Sequence, residues 1–174
     1  MKAPRGRLIS VDGCDAAAIA ATARATLAAV PRARRGGVSV WDASGVFDDL
    51  AVAGPEAGVP SPRTLLLLYA ADLAFRLRWE ITPALEKGAV VAAAPYVATA
   101  VAFGRAAGLP AAWLRELFRF APRPSEACYV DAGSAKSGFI GFSCGQLSPP
   151  GNRFVPKEIV ARARVHLRTR ARRS

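Results

Sequence analysis

Histidine occurs once in this 174-residue chain and cysteine three times. Cys14, Cys128 and Cys144 are too widely and irregularly spaced for a disulfide framework or a zinc site, and His166 has no ligand-like neighbour. No metal centre is expected, and the thiols read as inert. Long apolar runs are missing too: the longest, Ala89 to Phe103, is interrupted by Pro95 and falls short of the roughly 20 residues that span a bilayer. After the basic Met1 to Arg7 comes a short run ending in Asp12, not the apolar core of about 7 to 15 residues that marks a signal peptide. These absences exclude a membrane helix and predict a cytoplasmic location. No serine, cysteine or carboxylate constellation suggests a hydrolase.

What the chain does have is a composition just over half hydrophobic and 21% charged, enough for one sizeable core and too little for two comfortable domains. Its net charge of +11 is uneven. Residues 151 to 174 hold eight Arg or Lys against one Glu, so this segment carries +7 and the remainder +4. Heavy use of Ala and Arg with few Lys also fits a GC-rich coding background, which by itself raises the charge.

Leu8 to Val11 opens into Asp12-Gly13-Cys14-Asp15 and the Ala-rich Ala16 to Val30, a strand, a turn and a helix. Pro31 to Gly37 reads as a basic connection and Val38 to Trp41 as a second strand, stopped by Asp42 to Gly45. Ser61-Pro62 supplies an N-cap and a first-turn proline for the longest helical pattern, Leu65 to Leu85. Ala89 to Ala94, small and continuously apolar, predicts a central parallel strand covered on both faces. Helices follow from about Thr99 and over Ala111 to Phe120, then a strand over Ala127 to Asp131. The order predicts an α/β domain, a mostly parallel sheet flanked by helices in three layers. Ligands of such sheets bind at the carboxyl ends of the strands, here Asp12 to Asp15, Asp42 to Gly45, Ala94 to Tyr96 and Asp131 onward.

Three regions are expected: a core over 1–131, a loop over 132–151 with five Gly, two Pro and four Ser, and a basic segment over 152–174. In the last, Pro156-Lys157-Glu158 looks like a helix start, whereas Ala161 to Arg170 alternates with period two like a strand. A helix with a frayed basic end is the favoured reading.

The motifs then become specific. Asp12-Gly13-Cys14-Asp15-Ala16-Ala17-Ala18-Ile19-Ala20-Ala21 stands where a phosphate loop E-G-x-D-G-x-G-K-[ST]-[TS] would follow the first strand. Ser61-Pro62-Arg63-Thr64-Leu65 through Ala74 parallels S-P-x-T-E-L-L-L-F-x-A-D-R-A. Ile81-Thr82-Pro83-Ala84-Leu85-Glu86-Lys87-Gly88 and Val91 to Gly104 parallel I-x-P-A-L-x-x-G-x-x-V-x-x-D-R-Y-x-x-S-x-x-A-Y-Q, and Tyr129-Val130-Asp131 parallels Y-L-D. In these blocks the chain resembles the thymidylate kinases over roughly residues 5 to 131. The resemblance implies a P-loop kinase fold, and family members commonly pair through helices beside the nucleotide site, so the apolar face of Leu65 to Leu85 is a candidate interface.

The departures fall on the chemistry. A phosphate loop needs glycines so that backbone amides reach the β-phosphate, a Lys for the β and γ oxygens, and a hydroxyl for Mg²⁺. Here Ala16, Ala18, Ile19 and Ala20 hold those places, and each lost electrostatic contact typically costs about two to three orders of magnitude in rate. Beside them only Gly13 and Asp15 match. The family's acceptor-side D-R falls on Ala94 and Pro95, the arginine after A-D falls on Leu73, and the arginine-bearing turn after the second strand aligns loosely with Trp41 to Gly45, without its arginine. Lys136 is the sole cation in the 132–151 segment standing in for the lid.

Tyr69 takes the place of the aromatic that stacks on thymine in the family, and Tyr69, Asp72, Tyr96 and Phe103 form a candidate nucleoside pocket beside the alternative that they only support the fold. The expected function is therefore a catalytically degenerate thymidylate kinase homologue, a pseudoenzyme acting as a protein-binding or assembly subunit with no catalytic residue. No cofactor is expected, ATP and Mg²⁺ entering only with residual activity. A protein partner or a homodimer is anticipated. Two alternatives stand beside it: a nucleotide-binding sensor or weak dTMP kinase, and nucleic-acid binding through Arg162, Arg164, Arg168 and Arg170. Against the latter, the usual interleaving of aromatic residues for base stacking is missing after Phe154.

Overall fold

Strand β1 (Arg7–Gly13) is buried from Leu8 onward. It passes directly into helix α1 (Ala16–Ala28), whose N-cap Asp15 accepts a hydrogen bond from the Ala18 amide at 2.8 Å. The computed structural model of the chain describes residues 6–41, 43–46, 60–131 and 157–172. After α1 a single 3₁₀ turn (Arg32–Arg34) leads into β2 (Arg35–Val40). Part of the expected connection over Pro31 to Gly37 is therefore strand. The extension works because a register shift between Arg35 and Gly37 absorbs one residue, and Gly37 takes a φ of 118° that side-chain-bearing residues avoid.

The long helical pattern divides in three: α2 (Pro62–Arg76), a π-helical turn (Leu77–Ile81) and α3 (Thr82–Glu86). Pro83 has no amide hydrogen and its ring would collide with the carbonyl four residues back, so the widened turn just before it lets the run continue. In that turn the Thr82 amide bonds back to the Leu77 carbonyl. Strand β3 (Val90–Ala94) follows, buried at every position, then α4 (Val97–Ala106), α5 (Ala111–Leu117) and β4 (Glu126–Val130). Helix α4 begins two residues before the expected Thr99.

All four described strands are parallel, in the order β2-β3-β1-β4. From β1 the chain moves left to β2, and from β3 it moves right to β4, so right-handed crossovers put α1 and α4 on opposite faces. Helix α1 packs across the strands, Ile19, Ala23 and Leu27 being its buried residues. On the other face α4 lies against α2, and α6 (Lys157–Ala171) packs along α4 and onto β1 and β4. This is the three-layer α/β arrangement expected.

The carboxyl-terminal element is a helix as favoured, described from Lys157 to Ala171, and the last two residues of the chain lie outside the described residues. Its alternation of Ala and Arg imitates a strand, but the buried residues are Val160, Ala163 and Leu167. Their spacing of three and four is that of one helix face. The loop expected over Ala132 to Gly151 lies outside the described residues, as does Asp42. Among the described residues no helix is long and apolar enough to cross a membrane.

Candidate functional site

Strand order reverses between β1 and β3, so the crevice between their carboxyl ends is where an open α/β sheet offers a ligand site. Asp12 stands at that point. One oxygen of its carboxylate, Oδ1, accepts from the Tyr96 amide at 2.9 Å, the Thr99 amide at 2.9 Å and the Thr99 hydroxyl at 2.8 Å. The Asp12 charge thus sits against the first turn of α4, tying β1 to β3's exit. Burial raises its pKa above the ordinary 3.8, while these bonds to Thr99 and Tyr96, with Ser10, oppose the rise.

The residues of the would-be phosphate loop are engaged within the fold. The Gly13 amide donates to Thr99 Oγ1 at 3.1 Å. A Cβ at Gly13 would lie 2.7 Å from the Val130 carbonyl oxygen, so close approach of β1 and β4 suffices to require a glycine. Asp15 takes the Ala18 amide as an N-cap, placing a carboxylate where a helix amino terminus would otherwise attract an anion. Ile19 is 1% exposed and belongs to the core. Ala16, Ala18 and Ala20 are each half-buried and carry neither charge nor hydroxyl. The residues present do not fit a Mg²⁺-bound triphosphate at this turn.

All four candidate pocket residues are buried; Tyr69, Asp72 and Tyr96 are linked to one another directly or through Arg76, whereas Phe103 is placed in the same hydrophobic core. Tyr69 is fully enclosed: its hydroxyl donates to the Tyr96 carbonyl at 2.9 Å, Trp41 stacks on its ring at 4.6 Å and 22°, and Phe118 meets it edge-on at 6.0 Å. Asp72 pairs with Arg76, its Oδ2 lying 2.9 Å from Arg76 Nε with both side chains inaccessible, and its Oδ1 accepts from the Ser44 amide at 2.8 Å. The Arg76 guanidinium also donates to the Pro95 carbonyl at 3.1 Å and lies 5.9 Å from the Tyr69 ring centre. Tyr96 donates its hydroxyl to the Pro122 carbonyl at 2.8 Å. Burial pushes both tyrosine phenols well above their ordinary pKa, with Arg76 pulling the other way, so both stay neutral.

Arg76, Trp41 and Thr99 hold this cluster together, and none was singled out from the sequence as a site residue. Asp72 and Arg76 stand four apart, the helical spacing for an ion pair, which is the signal that could have found Arg76. Trp41 and Thr99 reach the cluster through the sheet crossover, which leaves no local mark.

The four basic candidates of α6 are brought together only in part. Arg164 and Arg168, with Arg172, lie on the flank facing Cys14 and Asp131, where Arg168 Nε meets both Asp131 carboxylate oxygens at 2.8 and 2.7 Å. Arg170 lies on the other flank, lining a groove with Arg105 and His166, and Arg162 is exposed. Desolvation, then the charge of Arg105, lowers the His166 pKa. Burial raises the Cys14 thiol to about 11. Among the described residues no group of three His, Cys, Asp or Glu side chains is placed to hold a metal.

No family model matches the chain. It is similar to a probable thymidylate kinase of Pyrococcus abyssi, 45% identical over 65 residues that make up 37% of this chain and 32% of that protein. Another, from Pyrobaculum calidifontis, is 31% identical over 80 residues, 46% of this chain and 42% of the relative. The chain thus spans about a third to two fifths of the length of the curated relatives it matches. In structure it is similar to a thymidylate kinase from Ehrlichia chaffeensis, with a TM-score of 0.71 at 12% identity over 98% of this chain and 83% of that one. The parallel sheet and these likenesses agree that the chain has a P-loop fold like that of the thymidylate kinases.

Proposed function

We propose that this chain is a catalytically degenerate homologue of the thymidylate kinases that acts as a non-catalytic subunit, pairing with a second copy or with another protein. Phosphoryl transfer depends on positioned cations and amides around the transferred group. The observation that carries the reading is at the first turn of α1: Ile19 packs in the core, and the Gly13 and Ala18 amides are bonded within the protein. The acceptor side supports it, because Trp41 stacks on Tyr69, the residue aligned with the family's thymine-stacking aromatic.

A binding role has a surface to use. Leu67, Phe75 and Trp79 are 53%, 40% and 65% exposed, and their spacing of eight and four residues puts them on one side of the α2 run. Large apolar side chains grouped in this way mark an interaction face. Sedimentation across a concentration series tests it: the wild type is expected at dimer mass and the Leu67→Glu, Trp79→Glu variant at monomer mass. A wild type that stays monomeric contradicts self-pairing. Millimolar dTMP, or ATP with Mg²⁺, is expected to leave the melting temperature unchanged, and a shift would favour the nucleotide-sensor reading by linkage.

A further inference from the structure

We propose that the groove between α6 and the carboxyl ends of β1 and β4 binds a compact phosphate-bearing small molecule through Arg164, Arg168 and Arg172. The groove has a volume of about 310 Å³, at the small end of the range for ligand pockets. Its lining includes the apolar Cys14, Tyr129, Val130, Leu167 and Ala171. Cys14, in the turn after β1, is its one contact with the phosphate-loop segment and no residue of α1 lines it, so the proposal does not depend on the proposed loss of phosphotransfer.

The three arginines stand four residues apart on one helix flank, where like charges repel and weaken the helix. The adjacent carboxyl end of the helix dipole offsets this in part. Against three guanidinium charges the described residues of the groove offer one carboxylate, Asp131. Among the described residues that pairing engages Arg168 through Nε, which leaves its two terminal amino groups to turn to a ligand. The Cys14 thiol, which touches Arg164, is held neutral at ordinary pH and supplies no counter-charge. Guanidinium groups match phosphate oxygens in paired, planar hydrogen bonds, and a phosphate dianion balances the charge left over.

The geometry favours a compact ligand over a polymer. The ridge of Val160, Ala163 and Leu167 docks α6 on the protein and separates the Arg164, Arg168 and Arg172 flank from the flank that carries Arg170. One strand of nucleic acid would have to cross that ridge to meet both.

Calorimetric titration at low salt with inorganic phosphate, glycerol 3-phosphate and a 20-residue oligothymidylate as probes decides it. Glycerol 3-phosphate or inorganic phosphate is expected to bind at one site per chain, the ester tighter if the natural ligand is an organic phosphate and equal if it is free phosphate. Arg164→Gln with Arg172→Gln should weaken that binding about tenfold or more, while Arg162→Gln with Arg170→Gln leaves it within about twofold. Asp131→Asn removes the competing carboxylate without disturbing the core and should tighten binding about threefold or more, which keeps the test decisive if the double variant fails to fold. The proposal is overturned if both double variants lose equally, if Asp131→Asn weakens binding or leaves it unchanged, or if only the oligonucleotide binds.

Discussion

Asp12 and Arg76 are the two side chains on which the strand-end region turns, and each makes a separate prediction. The Asp12 pKa is raised in the folded state, so the folded protein holds that proton more tightly than the unfolded chain does. Ionising Asp12 therefore costs stability as pH rises, and the cost vanishes as pH falls toward the ordinary value of 3.8. Asp12→Asn keeps an acceptor for Tyr96 and Thr99 without the charge. Its melting temperature relative to the wild type is expected to rise from pH 4.5 to pH 7, and a constant difference across that range would contradict the assignment. Arg76→Met leaves Asp72 as an uncompensated buried carboxylate, with an expected loss of about 3–5 kcal/mol in urea unfolding. Adding Asp72→Asn should recover part of that loss, because the orphaned charge is gone; two independent, additive losses would mean that the pair does not act as one unit.

At the level of elements, most of the fold was legible because its signals are local. Ser61-Pro62 marks the start of α2, and its hydroxyl accepts from the Thr64 amide at 3.1 Å as an N-cap should. The unbroken small-apolar run of Ala89 to Ala94 reads as a strand covered on both faces, and Val90–Ala94 is one. The π-helical turn was hidden because proline signals a break but does not say how a chain avoids one. Helix α6 was ambiguous because Arg and Ala alternate, so periodicity is clear only once Val160, Ala163 and Leu167 are seen to be buried. That docking has an energetic consequence. Leu167→Ala should cost about 2–5 kcal/mol if α6 is packed against α4 and β1, whereas a solvated basic tail would tolerate it with no change in the unfolding midpoint.

Across the whole molecule, the candidate site was legible in its residue types and not in its contacts. The sequence shows Ile19 and the alanines around it where the phosphate loop it resembles carries Lys and glycines, because each is a difference of residue type at a fixed place. It cannot reveal that Trp41 lies on Tyr69 or that Thr99 takes the Gly13 amide, since both arise where β2, β3 and β1 meet. The fold thus uses, for its own cohesion, several of the groups at the ends of its strands that could otherwise meet a nucleotide. The most direct test is a coupled assay of ADP release with ATP, Mg²⁺ and dTMP present. The account predicts no dTMP-dependent release above a protein-free control, and measurable release that depends on both dTMP and the protein would contradict it.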